Sequence, residues 1–190
     1  MKASTFLFTT DLVDEGFDTV LDRLQSAHLD GLSIACNYHH SRDVFPHNPV
    51  HRVRYMQGGV FFRPESAKYK KLRLQPDVPM WVQNDDPLQK ACQAADRRGL
   101  VVRAWTNNTH SSIQASAHPD CAIQNAFGDR YINSLCPARA DTRRPPVTGV
   151  HRRADPRRTG DHGLCGGDAV PCRGHPRGGS HRRQALRRRT

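Results

Sequence analysis

Three groups of polar and aromatic side chains within the first 110 residues could form a ligand-binding site. Asp11 follows a short apolar segment, residues 37–43 (NYHHSRD) follow a second one, and residues 105–110 (WTNNTH) follow a third. In folds built on parallel strands, the residues that act on a ligand cluster at the carboxyl ends of the strands. We therefore expect the three groups to meet at one edge of a sheet.

The chemistry that these groups suggest is recognition of a carbohydrate or another polar small molecule with several hydroxyls. An aromatic ring can cover the apolar face of a sugar, and imidazole and amide groups can hydrogen-bond its hydroxyls. The predicted catalytic residue is Asp11, and the predicted substrate-binding residues are Tyr38, His39, His40, Trp105, Asn107 and His110. The alternative is that these side chains only cap strand ends and pair with neighbouring loops.

Hydrolysis of a glycosidic bond would need a second carboxyl group across the bond. Asp11 is the one candidate at the predicted strand ends, and Asp43 is a weaker candidate further along the chain. A metal site is a further alternative, but adjacent histidines on an extended segment point to opposite sides, and no HExxH or CxxC motif occurs. The sequence thus predicts no metal or cofactor, although ligands are available from His39, His40, His47 and His110, or from His118 with Asp120.

The elements that must position these groups are indicated by apolar spacing. Residues 5–10 and 31–36 are typical of buried strands, and Phe17, Val20, Leu21 and Leu24 form one apolar helix face between them. A second helix is predicted from an Asp86 cap to Gly99, followed by a strand over residues 100–105. Between the two halves lies a long polar insertion, residues 38–84, with extended pieces at 60–63 and 72–74. A loop-rich stretch with a turn at 126–129 is expected beyond them.

This order of elements predicts an α/β fold with a parallel sheet and right-handed crossovers. No GxGxxG follows the first predicted strand and no P-loop occurs, which argues against a nucleotide-binding fold. A (β/α)8-type barrel fits the pattern, but residues 1–138 have room for only its first three to four strands. The predicted domain is therefore a partial barrel.

The composition changes abruptly near Ala138. Residues 1–138 carry 15 Lys and Arg against 14 Asp and Glu, whereas residues 139–190 carry 14 Arg and 4 Asp, and so supply 10 of the 11 net positive charges. The tail has no aromatic residue, and such a segment cannot bury a core. We expect a disordered Arg-rich tail.

Three interpretations of the tail remain open. It could bind nucleic acid without sequence preference through its arginines. It could hold zinc through Cys165, Cys172, His175 and His181, although their spacing departs from the usual short Cys pair. It could also be a frameshifted translation of GC-rich DNA, which the complete absence of Lys favours, because Lys serves phosphate binding as well as Arg does.

Localisation is inferred from cysteine usage and from apolar runs. The six cysteines lie far apart without the spacing of a disulfide framework, which indicates a reducing cytoplasm. No apolar run is long enough for a transmembrane helix, and Asp11 interrupts the N-terminal apolar run too early for a signal peptide. The sequence therefore predicts a cytoplasmic protein without a membrane partner.

Several segments also resemble a known family. STFLFTTDL, YHHSRDVFPHNP, GGVFFRPE, AWTNNTH and HPDCAIQNAFGD are similar to an uncharacterised bacterial family of TIM-barrel, glycoside-hydrolase-like hypothetical proteins, over residues 3–138. The resemblance implies a barrel with a carbohydrate-directed site, and places Asp11, His39, His40, Trp105 and His110 at its mouth. It also implies that this chain is an N-terminal fragment of a possible hydrolase, inactive where the tail replaces later strands.

Overall fold

The computed structural model describes residues 3–143. The elements in chain order are β1 (Ser4–Leu7), α1 (Thr9–Glu15), α2 (Phe17–Ser26), β2 (Gly31–Ala35), β3 (Asn37–Tyr38), β4 (Ser41–Val44), β5 (Val53–Met56), β6 (Gly59–Val60), α3 (Ser66–Tyr69), α4 (Met80–Gln83), α5 (Pro87–Asp96), β7 (Val101–Trp105), α6 (Ser112–Ala117), a 3-10 turn (Pro119–Cys121), β8 (Ala122–Gln124) and β9 (Arg130–Leu135). The zinc-ligand candidates and nearly all of the arginines of the tail lie outside the described residues.

The main sheet is parallel, as predicted, and its strands lie in the order β1-β2-β7. Ile34 of β2 is in register with Leu7 of β1 and with Ala104 of β7. The helices α1, α2 and α5 all pack on the face that carries Leu32 and Ile34, where they form the largest apolar core. The α/β class is therefore confirmed, and β1, β2 and β7 form a small parallel sheet, whereas the partial barrel stays a prediction.

Within residues 3–143, the opposite face of this sheet carries no comparable layer of helices. Phe6, Ser33 and Arg103 share it by register, and the Phe6 side chain is 61% exposed. Only its carboxyl end is covered, by Phe45, Met56 and other side chains that pack on Ala35.

The two long helices form where the sequence predicts them. The Asp86 side chain accepts a hydrogen bond from the backbone N–H of Gln89 at 2.9 Å, and Pro87 occupies the first helical position of α5. The Asp86 carboxylate satisfies one of the N–H groups that a helix start leaves unpaired, and Pro87 has no N–H to satisfy. Gly99, with φ at +65°, turns the chain into β7.

The first strand is shorter than predicted, and this moves Asp11. β1 ends at Leu7, and α1 begins at Thr9, so that Asp11 lies in the first turn of a helix instead of directly after a strand. The buried Thr9 hydroxyl donates a hydrogen bond to the Ala35 carbonyl at 2.5 Å. That tertiary contact outweighs the β preference of the two threonines, and the prediction of a strand over residues 8–10 is wrong.

The insertion at 38–84 contains two antiparallel pairs, β3 with β6 and β4 with β5. Residues 72–74 form no strand, because Leu74 instead fills a second core with Ala115 and Leu135. Beyond β7, the expected loops contain α6 and the β8–β9 hairpin, which closes around the predicted turn at 126–129. No helix within residues 3–143 has the length and apolarity needed to cross a bilayer.

Candidate functional site

The carboxyl ends of β2 and β7 are held side by side by backbone and amide hydrogen bonds. The Cys36 N–H donates to the Trp105 carbonyl at 2.8 Å. One residue further, the Asn37 amide donates to the Asn107 carbonyl at 2.6 Å and accepts from the Asn107 N–H at 2.8 Å. The segments that follow the two strands, which carry most of the predicted site residues, therefore leave the sheet together.

Four rings from these segments form a continuous row of contacts, which we call the ring ladder: Trp105, Tyr38, His39 and His110. The Tyr38 ring lies edge-on to Trp105 at 5.9 Å between centroids and is stacked on His39 at 4.2 Å. The His39 and His110 rings are nearly parallel, 3.9 Å apart. All four residues are partly exposed, so the ladder offers ring surfaces and edges to a ligand.

The protonation of His39 follows from its place in the ladder. Burial lowers the pKa of His39 below its ordinary value, and the neighbouring His110 lowers it further, while Asp43 acts in the opposite direction. Its buried Nδ1 has no hydrogen-bond partner within residues 3–143. These influences favour the neutral form of His39, and its Nδ1 is not used by the described residues.

The remaining two predicted ligand-binding residues contribute less. The Asn107 side-chain carbonyl accepts from the His110 N–H at 3.2 Å, so it shapes the turn that carries His110 into the ladder. His40 is exposed, and its Nδ1 lies 3.3 Å from the Ser112 hydroxyl. The structure therefore brings Tyr38, His39, Trp105 and His110 together, with His40 at the rim.

Asp11 belongs to a different group of side chains. The α1 acidic cluster comprises Asp11, Asp14 and Glu15 on α1, facing His47, Asn48, His51 and Arg54 on the segment from β4 to β5. Burial raises the pKa of Asp11, and the nearby Glu15 and Asp14 add to this effect, against the opposing influence of Asn48 and His47. Phe45 connects the two groups, because its ring contacts both Phe8, beneath the ladder, and His47.

Each carboxylate of the α1 acidic cluster has different partners. Asp14 pairs with Arg54 and with His51 Nδ1, and Glu15 accepts from Arg23 at 2.6 Å. Asp11 lies 3.5 Å from the Asn48 amide and 3.9 Å from His47 Nε2. One ligand atom each from Asp11, Glu15 and His47 lies within 4.8 Å of the others, a geometry compatible with a metal ion.

Asp14, Glu15 and Asn48 are site residues that were not predicted from the sequence. The spacing Asp11, Asp14, Glu15 places three carboxylates on one helical face, and this signal was masked because a strand was expected through residue 10. Of the metal alternatives considered from the sequence, His47 lies with Asp11, away from His39 and His110. Asp120 pairs with Arg73 at 2.6 Å.

The chain was compared with protein-family models, with curated proteins and with solved structures, and no match was found in any of the three comparisons. The resemblance to TIM-barrel, glycoside-hydrolase-like proteins therefore stays a prediction.

Proposed function

We propose that the ring ladder is the binding site for a carbohydrate or a closely similar polyhydroxy ligand, on a chain that winds in the manner of a (β/α)8 barrel. The observation that carries the proposal is the joining of Trp105, Tyr38, His39 and His110 into one partly exposed stack at the carboxyl ends of β2 and β7. Aromatic faces take the apolar side of a sugar ring, and imidazole nitrogens take its hydroxyls.

The winding of the sheet supports the barrel relationship. The strands β1, β2 and β7 lie in sequential order, with α1, α2 and α5 packed on one face. In a complete barrel that face is the outside, and the face with Phe6 and Arg103 lines the interior. Ligand sites of such folds form at the carboxyl ends of the strands, which is the edge that carries the ladder.

The geometry supports binding more than bond cleavage. A glycosidase places its two carboxyl groups on either side of the scissile bond, in contact with the substrate. The carboxylate nearest to Asp11 that could act with it is Glu15, yet their side chains are only 8% and 5% exposed. Asp11 as a catalytic acid would need its carboxyl group to be more exposed than it is, so the proposal is for binding and not for hydrolysis.

The test is a tryptophan-fluorescence titration with soluble oligosaccharides of defined composition, such as cello-, xylo-, malto- and chito-oligosaccharides. Trp81→Phe leaves Trp105 as the reporter, and we expect a saturable change with at least one series. Trp105→Ala, measured by calorimetry with the same sugar, should abolish binding. Phe127→Ala is the matched control, because Phe127 is a highly exposed aromatic residue on the β8–β9 turn, away from the ladder. Equal loss in Trp105→Ala and Phe127→Ala, or no binding by any series, would refute the proposal.

A second candidate function rests on the composition of the tail, with 14 Arg in residues 139–190. We propose as the alternative that this segment binds nucleic acid without sequence preference. Phosphate neutralisation releases counterions, so affinity for a random DNA duplex should fall steeply with salt. Removal of residues 139–190 should abolish that binding while leaving any sugar binding unchanged. Salt-independent binding would contradict the nucleic-acid alternative.

A further inference from the structure

We propose that Asp11, Glu15 and His47 form a binding site for a divalent transition-metal ion, separate from the ring ladder. The inference starts from the placement of the three ligand atoms. Asp11 and Glu15 are four residues apart on α1 and so share one face of the helix, and His47 reaches them from the segment between β4 and β5. Two carboxylates and one imidazole are a ligand set that zinc and manganese accept.

The three ligand atoms all lie within 4.8 Å of one another, a spacing that a metal ion could bridge. With metal–ligand bonds of about 2.0–2.2 Å, two ligand atoms of a tetrahedral zinc site lie about 3.4 Å apart. His47 Nε2 lies 3.4 Å from Glu15 Oε1 and 3.9 Å from Asp11 Oδ1. The His47 side chain is 59% exposed, which leaves it room to reorient when an ion binds.

The carboxylates of the α1 acidic cluster differ in whether a cationic side chain pairs with them. The side chains of Asp14 and Glu15 each contact an arginine, Arg54 and Arg23 respectively. The Asp11 side chain is more than nine-tenths buried, yet among residues 3–143 no cation lies within hydrogen-bond distance of it. The basic group beside Asp11 is His47, whose Nε2 lies 3.9 Å away. A bound cation would offset more of the desolvation cost of this buried carboxylate.

The two oxygens of Glu15 are divided between two tasks. Oε2 accepts from Arg23 at 2.6 Å, while Oε1 faces His47. The arginine thus fixes the carboxylate from outside the cluster and leaves the inner oxygen available, an arrangement in which an outer partner orients a ligand.

The segment that carries His47 is also fixed to α1 before any metal binds. Asn48 is 1% exposed, and its carbonyl oxygen accepts from the N–H groups of Val50 and His51 at 2.9 and 2.8 Å. Its amide donates to Asp14 at 3.0 Å. Three protein ligands are one fewer than a tetrahedral zinc site needs, and a water molecule would supply the fourth.

The first experiment measures metal affinity on the full chain. The protein is treated with a chelator, dialysed, and titrated with MnCl2 and separately with ZnCl2 by calorimetry. We expect His47→Ala and Glu15→Gln each to weaken Mn²⁺ binding at least tenfold, since even outer partners of metal ligands are worth about 10- to 100-fold. The matched control is His28→Asn, because His28 is exposed and has φ at +56°, a conformation that Asn tolerates.

The second experiment locates the ion, because the cysteines and histidines of the tail offer zinc other ligands. Paramagnetic Mn²⁺ prefers oxygen and imidazole ligands over thiolates. Substoichiometric Mn²⁺ should broaden the backbone amide signals of residues 9–16 and 45–51 before others. Broadening that begins elsewhere, unchanged affinity in His47→Ala, or no Mn²⁺ binding at millimolar concentration would each overturn the proposal. Sugar binding to the ring ladder should be normal in the His47→Ala variant. Failure of the metal proposal would then leave the proposed function intact.

Discussion

Asn48 is the side chain whose removal should reveal most about how the α1 acidic cluster is held. It is 1% exposed, it accepts two backbone hydrogen bonds at 2.9 and 2.8 Å, and it donates to the Asp14 carboxylate at 3.0 Å. Asn48→Ala removes all three bonds and leaves their partners in a partly buried site. We expect a large loss of stability and a disordered segment between β4 and β5.

The magnitude can be worked from these contacts. A hydrogen bond to a charged group contributes about 1.5–3 kcal/mol, and each neutral bond contributes about 0.5–1.5 kcal/mol. The three bonds of Asn48 together predict a loss of about 2.5–6 kcal/mol in the free energy of unfolding. The pair with Asp11, at 3.5 Å, is too long to add to this sum.

The chain provides a matched control in Asn125. Its carbonyl accepts from the N–H groups of Phe127 and Asp129, both at 2.9 Å, and its amide donates to the Asp129 carboxylate at 3.0 Å. The bonding pattern is the same, but it lies in the exposed β8–β9 turn, where water replaces lost partners. Asn125→Ala should therefore cost about 1 kcal/mol.

The assay is urea unfolding of both variants, followed by tryptophan fluorescence at neutral pH with a chelator present. The midpoint should shift several times further for Asn48→Ala than for Asn125→Ala, at an unchanged slope. Equal shifts of the midpoint in the two variants would contradict this prediction. Burial would then not determine how much free energy of unfolding is lost with the same set of hydrogen bonds.

Three further predictions concern titration and helix capping. The pKa of His39, measured by NMR, should lie below its ordinary value of 6.5, and His110→Ala should raise it, whereas His118→Ala should not; no response to His110→Ala would contradict the stacked arrangement. The pKa of Asp11 is raised above 3.8 in the folded state, so the folded protein holds the proton of this carboxyl group more tightly than the unfolded chain does. Once Asp11 is ionised, at a pH above its folded-state pKa, it therefore lowers the free energy of unfolding. Asp11→Asn with a chelator present should therefore raise the unfolding midpoint at pH 7 and reduce the gain on acidification; a lower midpoint at pH 7 would oppose this sign. Asp86→Ala should lower the free energy of unfolding by about 1–2 kcal/mol through loss of the α5 cap, and Asp86→Asn, which retains a capping carbonyl, should recover most of it.

The sequence determined the elements whose signals are local. Helix α5 follows from a capping Asp86 and a Pro87 that suits a first helical position, and the parallel sheet follows from buried strands that alternate with helices. The joining of Tyr38, Trp105 and His110 was also foreseeable, because parallel strands bring their carboxyl ends to one edge.

The tertiary structure decided whatever depended on contacts distant in sequence. Thr9 belongs to a helix because its hydroxyl finds the Ala35 carbonyl, 26 residues away, and this moves Asp11 out of the ladder and into the α1 acidic cluster. His47 and Asn48 reach that cluster only because β4 and β5 pair and lay the intervening segment against α1. The spacing of residues within one segment does not predict such long-range contacts, because they stabilise the fold only when both partners are buried together.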